Sequence, residues 1–165
     1  MFREMRRNQQ QLSARENDEI LRRCTSGVLA VTGDDGYPYA VPLSYVYQDG
    51  KLWFHCAVTG HKLDAIAQND KVSFCVIDQD EVIPEKLTSA YRSVIVFGRA
   101  RVPEDEAERR RAARWLGEKY DPANSSDMDR EIDGALSRMR IIRLDIEHMT
   151  GKEGIVLTQV RNKKQ

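Results

Sequence analysis

Cysteine and histidine are both scarce in this sequence, three of each in 165 residues, and their scarcity excludes a good deal. Cys24, Cys56 and Cys75 are too few and too scattered for a disulfide framework, and none has the paired spacing of a metal motif. Cys56 and Cys75 fall among apolar neighbours in predicted strands, where a free cysteine acts as a small buried hydrophobe. Cys56 alone keeps a redox alternative, because it adjoins the stretch considered below. His55 and His61 do not have the i, i+4 spacing of a helical zinc site, and no acid or cysteine cluster completes a metal set, so no metal is expected. Charge of either sign is not in excess: Lys+Arg and Asp+Glu are both 26, which gives no global pull towards nucleic acid or anionic membrane. No apolar run approaches the roughly 18 residues of a spanning helix. The stretch Met1-Phe2-Arg3-Glu4-Met5-Arg6-Arg7 lacks the apolar centre of a signal peptide, so a cytoplasmic protein is the expectation. No Gly-x-Ser-x-Gly elbow surrounds Ser26, Ser44, Ser73, Ser89 or Ser93, no Walker loop occurs, and the glycines form no dinucleotide fingerprint.

What is present suits one domain spanning residues 1–165. The first stretch, to Gln11, is polar and expected to fray. Ser13-Ala14-Arg15-Glu16 matches a capping box and opens a helix with Ile20, Leu21 and Cys24 on one side. From Gly27 the period becomes that of strands: Val28 to Thr32, then Tyr37 to Tyr47, then Lys51 to Cys56, separated by the turns Gly33-Asp34-Asp35-Gly36 and Gln48-Asp49-Gly50. Pro38 and Pro42 predict a bulge, a bend or an open edge in the long strand. Lys71 to Ile77 reads as a fourth strand, Asp78 to Ala90 as a loop, and Tyr91 to Val102 as a fifth strand. Peripheral helices follow over 103–139: one opened by Pro103 in its first turn with a buried stripe of Ala112, Trp115 and Leu116, and one capped by Ser125-Ser126-Asp127. The arginines at 109, 110, 111 and 114 invite a nucleic-acid reading, but neighbouring acids mark a solvated face. Arg140 to Glu147 alternates cleanly as a sixth strand, and the chain then leaves through a glycine turn into a polar tail. The expected fold is mainly β with peripheral helices, a six-stranded antiparallel barrel, closed or split, with a two-sheet sandwich as the alternative.

One stretch departs from a generic β domain. Phe54 to Val58 runs into Thr59-Gly60, and His61-Lys62 follow at a helix start. Free amides, the positive end of the helix dipole and an ammonium converge there, which suits a phosphate. Gly60, His61 and Lys62 are therefore the candidate anion site. His55 alternates with Trp53 and Ala57; it reads equally as a histidine satisfied inside the barrel or as a ligand contact. Tyr91-Arg92-Ser93 could add an arginine and a hydroxyl.

The segments Gly27-Val28-Leu29-Ala30-Val31, Gly36 to Val46, Leu52 to Ala57, Gly60-His61-Lys62-Leu63-Asp64, Val72-Ser73-Phe74 and Tyr91 to Ala100, in that order, resemble the FMN-binding split-barrel superfamily of pyridoxamine 5'-phosphate oxidase-like proteins. Within it the chain is similar to the nitroimidazole-resistance (Nim) branch. The resemblance implies a homodimer with FMN at the subunit interface. Val41-Pro42-Leu43-Ser44-Tyr45 would lie along the isoalloxazine, His61 and Lys62 would hold the ribityl phosphate, and His55, Arg92 and Ser93 would be further contacts. His61 would also be the reaction partner. Additional arginine and lysine motifs of the enzymes that oxidise pyridoxamine phosphate have no counterpart that can be placed here. The implied activity is reduction of a small acceptor, such as a 5-nitroimidazole, with electrons from a nicotinamide cofactor; the alternative is a non-catalytic flavin- or haem-binding module for sensing or storage. No membrane or nucleic-acid partner is implied.

Overall fold

Ser13 and Glu16 form the capping box that the sequence predicts: Ser13 Oγ accepts from the Glu16 amide at 3.3 Å, and Glu16 Oε2 accepts from the Ser13 amide at 2.8 Å. In the computed structural model, which describes residues 2–124 and 127–163, they open α1 (Ala14–Arg23). Seven strands then build one antiparallel sheet: β1 (Ser26–Thr32), β2 (Pro38–Ser44), β3 (Val46–Gln48), β4 (Lys51–Ala57), β5 (Lys71–Ile83), β6 (Thr88–Arg101) and β7 (Met139–Glu153). Their order across the sheet is β2-β1-β5-β6-β7-β4-β3. The helices α2 (His61–Gln68), α3 (Glu106–Tyr120), α4 (Met128–Ala135) and α5 (Ile155–Asn162) lie around it.

This order has a geometric consequence. β2 and β3 stand at opposite edges of the sheet, yet only Tyr45 separates them in sequence. The two edges are pinned together, so the sheet must curl into a barrel. The barrel is not sealed by hydrogen bonds. β3 pairs with β4 only over Lys51–Trp53, and β2 pairs only with β1, which leaves a seam between β2 and the Phe54–Ala57 half of β4.

The interior is filled by alternate residues of each strand: Leu29 and Val31, Leu52 and Phe54, Val72, Phe74 and Val76, Val94 and Val96, Ile142 and Leu144. Ile20 and Leu21 of α1 and Ala65 and Ile66 of α2 complete this core. Tyr45, Phe54 and Phe74 meet at its centre, with both Phe74 contacts edge-on at 5.0 Å between ring centroids. A second cluster lies outside the barrel, where Ala112, Ala113 and Leu116 of α3 and Met128 and Ile132 of α4 cover Val46, Trp53 and Ile141.

The mainly β, antiparallel split barrel matches the expectation, and the details differ in five places. Among the described residues there are seven strands instead of six, because the predicted strand from Tyr37 to Tyr47 breaks at Tyr45. Its prolines take the open-edge solution, since β2 ends the sheet and a missing donor can be turned away from the ladder. The predicted loop Asp78 to Ala90 is mostly hairpin: β5 and β6 stay paired out to Ile83↔Thr88, and Pro84–Lys86 with left-handed Leu87 makes the turn. Cross-strand hydrogen bonding there outweighs a mixed, acidic composition with little strand propensity. Pro103 lies before the cap of α3 and not in its first turn; Asp105 is the cap and accepts from the amides of Ala107 and Glu108. Finally, the glycine turn and polar tail are the last rung of β7 followed by α5. Its Arg161 donates to the carbonyls of Gln9 and Gln11, and Gln10 is buried, so the polar start of the chain has a tertiary seat. The predicted cap residues Ser125 and Ser126 lie outside the described residues.

Gly98 marks a strand-to-strand contact closed to any side chain. It sits at the register shift between β6 and β7, and a Cβ there would come 2.1 Å from the Asp145 carbonyl oxygen. Gly98→Ala is expected to cost about 2–3 kcal/mol, read from a urea midpoint, because backbone must move. Gly134→Ala in α4 meets open space and should instead stabilise by up to about 1 kcal/mol through helix propensity.

Candidate functional site

The turn from β4 into α2 is built around Gly60, whose φ of 141° is open to glycine and strained for other residues. Gly60 is the N-cap of α2, and its carbonyl accepts from the amides of Leu63 and Asp64 at 2.8 and 3.2 Å. No side chain caps the helix among the described residues, so the amides that open α2 face outward. His61 is the first residue of this helix. Its ring stacks on Tyr39 of β2 at 4.2 Å, nearly parallel, and its Nε2 lies 3.7 Å from Asp34 Oδ2. The imidazole therefore bridges the seam from the β4–α2 junction to β2.

Lys62 is half-buried beside it and makes no ion pair among the described residues. It acts electrostatically on Cys56, as does Arg140, which pairs with Cys56 across β4 and β7. Arg140 also makes no ion pair among the described residues; its one hydrogen bond is a 3.3 Å contact to the Met139 carbonyl. Two cations without counter-charges thus flank the foot of α2, at the end of the barrel interior. Sequence reasoning singled out Gly60, His61 and Lys62 but missed Arg140. A signal existed: Arg140 stands in phase with Ile142, Leu144 and Ile146, a charge where the alternation calls for an apolar residue.

The predicted strand stretch divides by alternation. Val41 and Leu43 pack inward against the core and Tyr45 is fully buried, while Pro42 and Ser44 face outward and are exposed. Side chains of Pro42 and Ser44 can meet a ligand lying on the seam; Val41, Leu43 and Tyr45 can offer only backbone or support. His55 is not satisfied inside the barrel. It lies on the outward face of β4, opposite in phase to buried Phe54, and is exposed because the strand alternates strictly there. Ser44 and His55 together line a cavity of about 390 Å³ whose other walls come from α3, α4 and the start of β7.

Arg92 and Ser93 stand apart. Ala57 pairs with Met139 at one end of β7, and Arg92 pairs with Glu153 at the other, about 45 Å along the strand at its usual rise. Arg92 Nη2 donates to the fully buried Glu153 at 3.0 Å, and Arg161 holds the other oxygen at 3.2 Å. Within one chain they are not brought to the seam. No group of three or more His, Cys, Asp or Glu among the described residues could hold a metal ion, and no described helix is long and apolar enough to cross a membrane.

A family model described as pyridoxamine 5'-phosphate oxidase matches residues 13–153. No curated protein matches the chain significantly. Among solved structures, the chain is similar to an FAD-binding protein from Mesorhizobium loti, at 28% identity and a TM-score of 0.59, covering 87% of this chain and 96% of that one. It is also similar to a candidate 5-nitroimidazole antibiotic resistance protein from Bacteroides thetaiotaomicron, at 20% identity and a TM-score of 0.73, covering 87% and 86%. The FAD and heme binding protein from Mycobacterium smegmatis aligns at 20% identity and a TM-score of 0.73, covering 88% and 74%. At their identities the last two speak for the fold.

The thiol at this site is not primed for redox work. Burial pushes Cys56 above the ordinary thiol value, and the nearby Lys62 and Arg140 offset this only in part. Less thiolate is therefore present at neutral pH than in a free cysteine. Alkylation of Cys56 by iodoacetamide at pH 7.5, followed by peptide mass spectrometry, is expected to run at least about tenfold slower than in the unfolded chain and to accelerate with rising pH.

Proposed function

The chain belongs to the pyridoxamine 5'-phosphate oxidase family, and from that premise we propose that it is an FMN-dependent oxidoreductase, passing electrons from a nicotinamide cofactor to a small acceptor such as a 5-nitroimidazole. The observation that carries this reading is the open seam. At its foot lie outward-facing helix amides and two cations without counter-charges, Lys62 and Arg140, a donor set that fits a phosphate. Along its length the free edges of β2 and β4 leave backbone groups for the polar rim of a flat ring system. A cluster of two cations suits one phosphate, as a mononucleotide carries, and the flavin class is supported by the 28% identical FAD-binding relative.

In this reading Lys62, Arg140 and the α2 amides hold the phosphate. Pro42 and Ser44 lie against the ring, with their strand presenting its backbone. FMN, when bound, supplies reversible electron uptake and release. His61, clamped between Tyr39 and Asp34, is placed to carry a proton at Nε2, with the Asp34 carboxylate facing it.

A second copy of the chain completes the proposal. Val28, Cys75 and Ile95 are neighbours across β1, β5 and β6 on the outer face of the sheet, with Ile77 and Phe97 beside them. Val28 is 38% exposed, Ile95 39%, Phe97 39% and Ile77 63%, a contiguous apolar strip on the outer face of the sheet. Burying it in a homodimer would also let Arg92 and Ser93 of one copy approach the seam of the other. The remaining alternative, a flavin or haem module without turnover, draws on His55 standing at an apolar cavity.

Purified protein is expected to be yellow, with about one FMN per subunit on release. The pair His61→Ala and Lys62→Ala should weaken FMN binding by about 2–4 kcal/mol, and Arg140→Ala by about 1–2 kcal/mol, the scale of charge-assisted contacts. Anaerobic NADH or NADPH should bleach the flavin; a stable yellow colour would favour the module, and a Soret band lost on replacing His55 or His61 would favour haem. Ile95→Asp should convert the dimer to a monomer in sedimentation and lower FMN affinity with it, whereas a monomeric wild type that binds FMN fully would remove the dimer from the proposal.

A further inference from the structure

The outer face of the sheet is charged unevenly from end to end. Paired residues of antiparallel strands share a face, so the register gives its rows: Val28, Cys75 and Ile95 across the middle, Lys71 with Arg99 at one end, and Asp80 with Tyr91 at the other. Arg99 and Tyr91 each lie four residues from Ile95 on β6, about 13 Å at the usual strand rise. At the Lys71 end a groove of about 550 Å³ opens beside Phe2, Ser73 and Phe97, with Lys71 and Arg99 in its lining. Arg99 is held by Asp70 and Glu147, each at 2.8 Å, so Lys71 carries the free charge of this end. It is exposed, and its ammonium makes no ion pair among the described residues. Asp80 is likewise exposed and without an ion pair, and the hairpin beyond it adds the exposed Glu81 and Glu85 against Lys86. Lys152, across from Ser93, stands over the ring of Tyr91 at 5.7 Å and does not pair with Asp80.

We propose that a second copy of the chain lies on this face turned end for end, so that Asp80 of each copy meets Lys71 of the other. The proposal rests on the homodimer of the reading above and adds its orientation. Two sheets stacked about a two-fold axis have two arrangements on this strip. An axis along the strands puts like ends together and would face Asp80, Glu81 and Glu85 with their own copies. An axis across the strands stacks β5 on β5 in opposite directions. With the row of Cys75 and Ile95 on that axis, what lies about 13 Å to one side in one copy meets what lies about 13 Å to the other side in its neighbour. Asp80 then faces Lys71, twice per dimer, and the Asp80–Tyr91 row comes to the groove. The apolar middle serves both arrangements equally, so it gives affinity without choosing between them. Charge chooses, because carboxylates brought together at a drying interface repel and a carboxylate beside an ammonium does not.

The test is charge reversal read by sedimentation equilibrium of the full chain at neutral pH and low salt. Asp80→Lys and Lys71→Asp are each expected to raise the dimer dissociation constant at least about tenfold, and the double variant to return to within about threefold of wild type. Both side chains are exposed, and circular dichroism checks the fold. Should a variant not fold, the wild-type dissociation constant carries the test: it is expected to rise at least about threefold from about 0.05 to about 0.5 M salt. Single variants that dimerise like wild type, a double variant no better than the singles, a salt-independent wild type, or an Asp80→Lys dimer tighter than wild type would overturn the arrangement. A wild type that stays monomeric would remove it together with the dimer of the reading above. A dimer broken by Ile95→Asp but indifferent to charge reversal would keep that dimer and remove only its orientation. Colourless protein whose double variant recovers dimerisation would sink the flavin reading and leave the orientation standing.

Discussion

The main chain at Tyr45 is the constraint on which the architecture turns. Here the strand stops pairing with one edge of the sheet and begins pairing with the other, so the Tyr45 peptide groups have no ladder partner. α3 supplies one: the Tyr120 hydroxyl accepts from the Tyr45 amide at 2.9 Å and stands within donating reach of the carbonyls of Tyr45 and Thr25. The side chain is anchored equally firmly. It enters the core edge-on to Phe74, and its hydroxyl donates to the Leu21 carbonyl of α1 at 2.8 Å. Lys119 Nζ lies 4.2 Å over its ring while donating to the Cys24 carbonyl, and burial holds that ammonium below the ordinary lysine range. A buried break in a strand is costly unless each polar group finds a partner. Here the partners come from α1 and α3, so closing the barrel and docking both helices are one event.

The seam and the cavity follow from that event. Switching edges at Tyr45 leaves β2 and the second half of β4 facing each other unbonded, and docking Tyr120 brings α3, and α4 with it, over the end of that gap. The charges then separate. Lys62 and Arg140 collect at the foot of α2, where the helix dipole already favours an anion. Acidic groups collect at the far rim, on the loop after α3 and on α4. The proposed phosphate site and the apolar cavity thus both adjoin one open seam.

Much of this was legible in the sequence, and what was not has physical causes. Apolar runs between turn signals revealed β1 and β4, clean alternation revealed the Arg140–Glu147 part of β7, and the capping box fixed the start of α1, whose end at Arg23 falls short of the Ser26-Gly27 end read from the sequence. Gly60-His61-Lys62 could be read as an anion site because every element of it is local: a glycine conformation, a helix start and a cation. The hairpin over 78–90 was illegible because its strands are held by each other and not by any propensity of Asp78, Asp80 or Glu81. α5 was hidden because Ile155, Val156 and Thr158 are poor helix formers; its place comes from Thr158 buried against the body and Arg161 reaching Glu153. The break at Tyr45 left no local trace, since its cause is Tyr120, far along the chain. Arg140 was readable as an out-of-phase charge, but its meaning depends on Cys56 and Lys62 lying next to it.

The arginines of α3 show how composition misleads when charge is counted without geometry. Arg109, Arg110, Arg111 and Arg114 are a basic cluster in sequence and suggest a polyanion surface. In the fold, Arg110 and Arg114 are neutralised by acids of α4 or of α3 itself, and Arg143 of β7 is turned to Glu108 in the same way. These pairs are partly exposed and individually worth little stability. Their larger effect is to fix where positive charge is not. They clip α4 to α3, while Ala113, Leu116, Met128 and Ile132 of the two helices form apolar walls of the cavity. Two of the four arginines of the cluster are thus taken up in ion pairs at the helix surface.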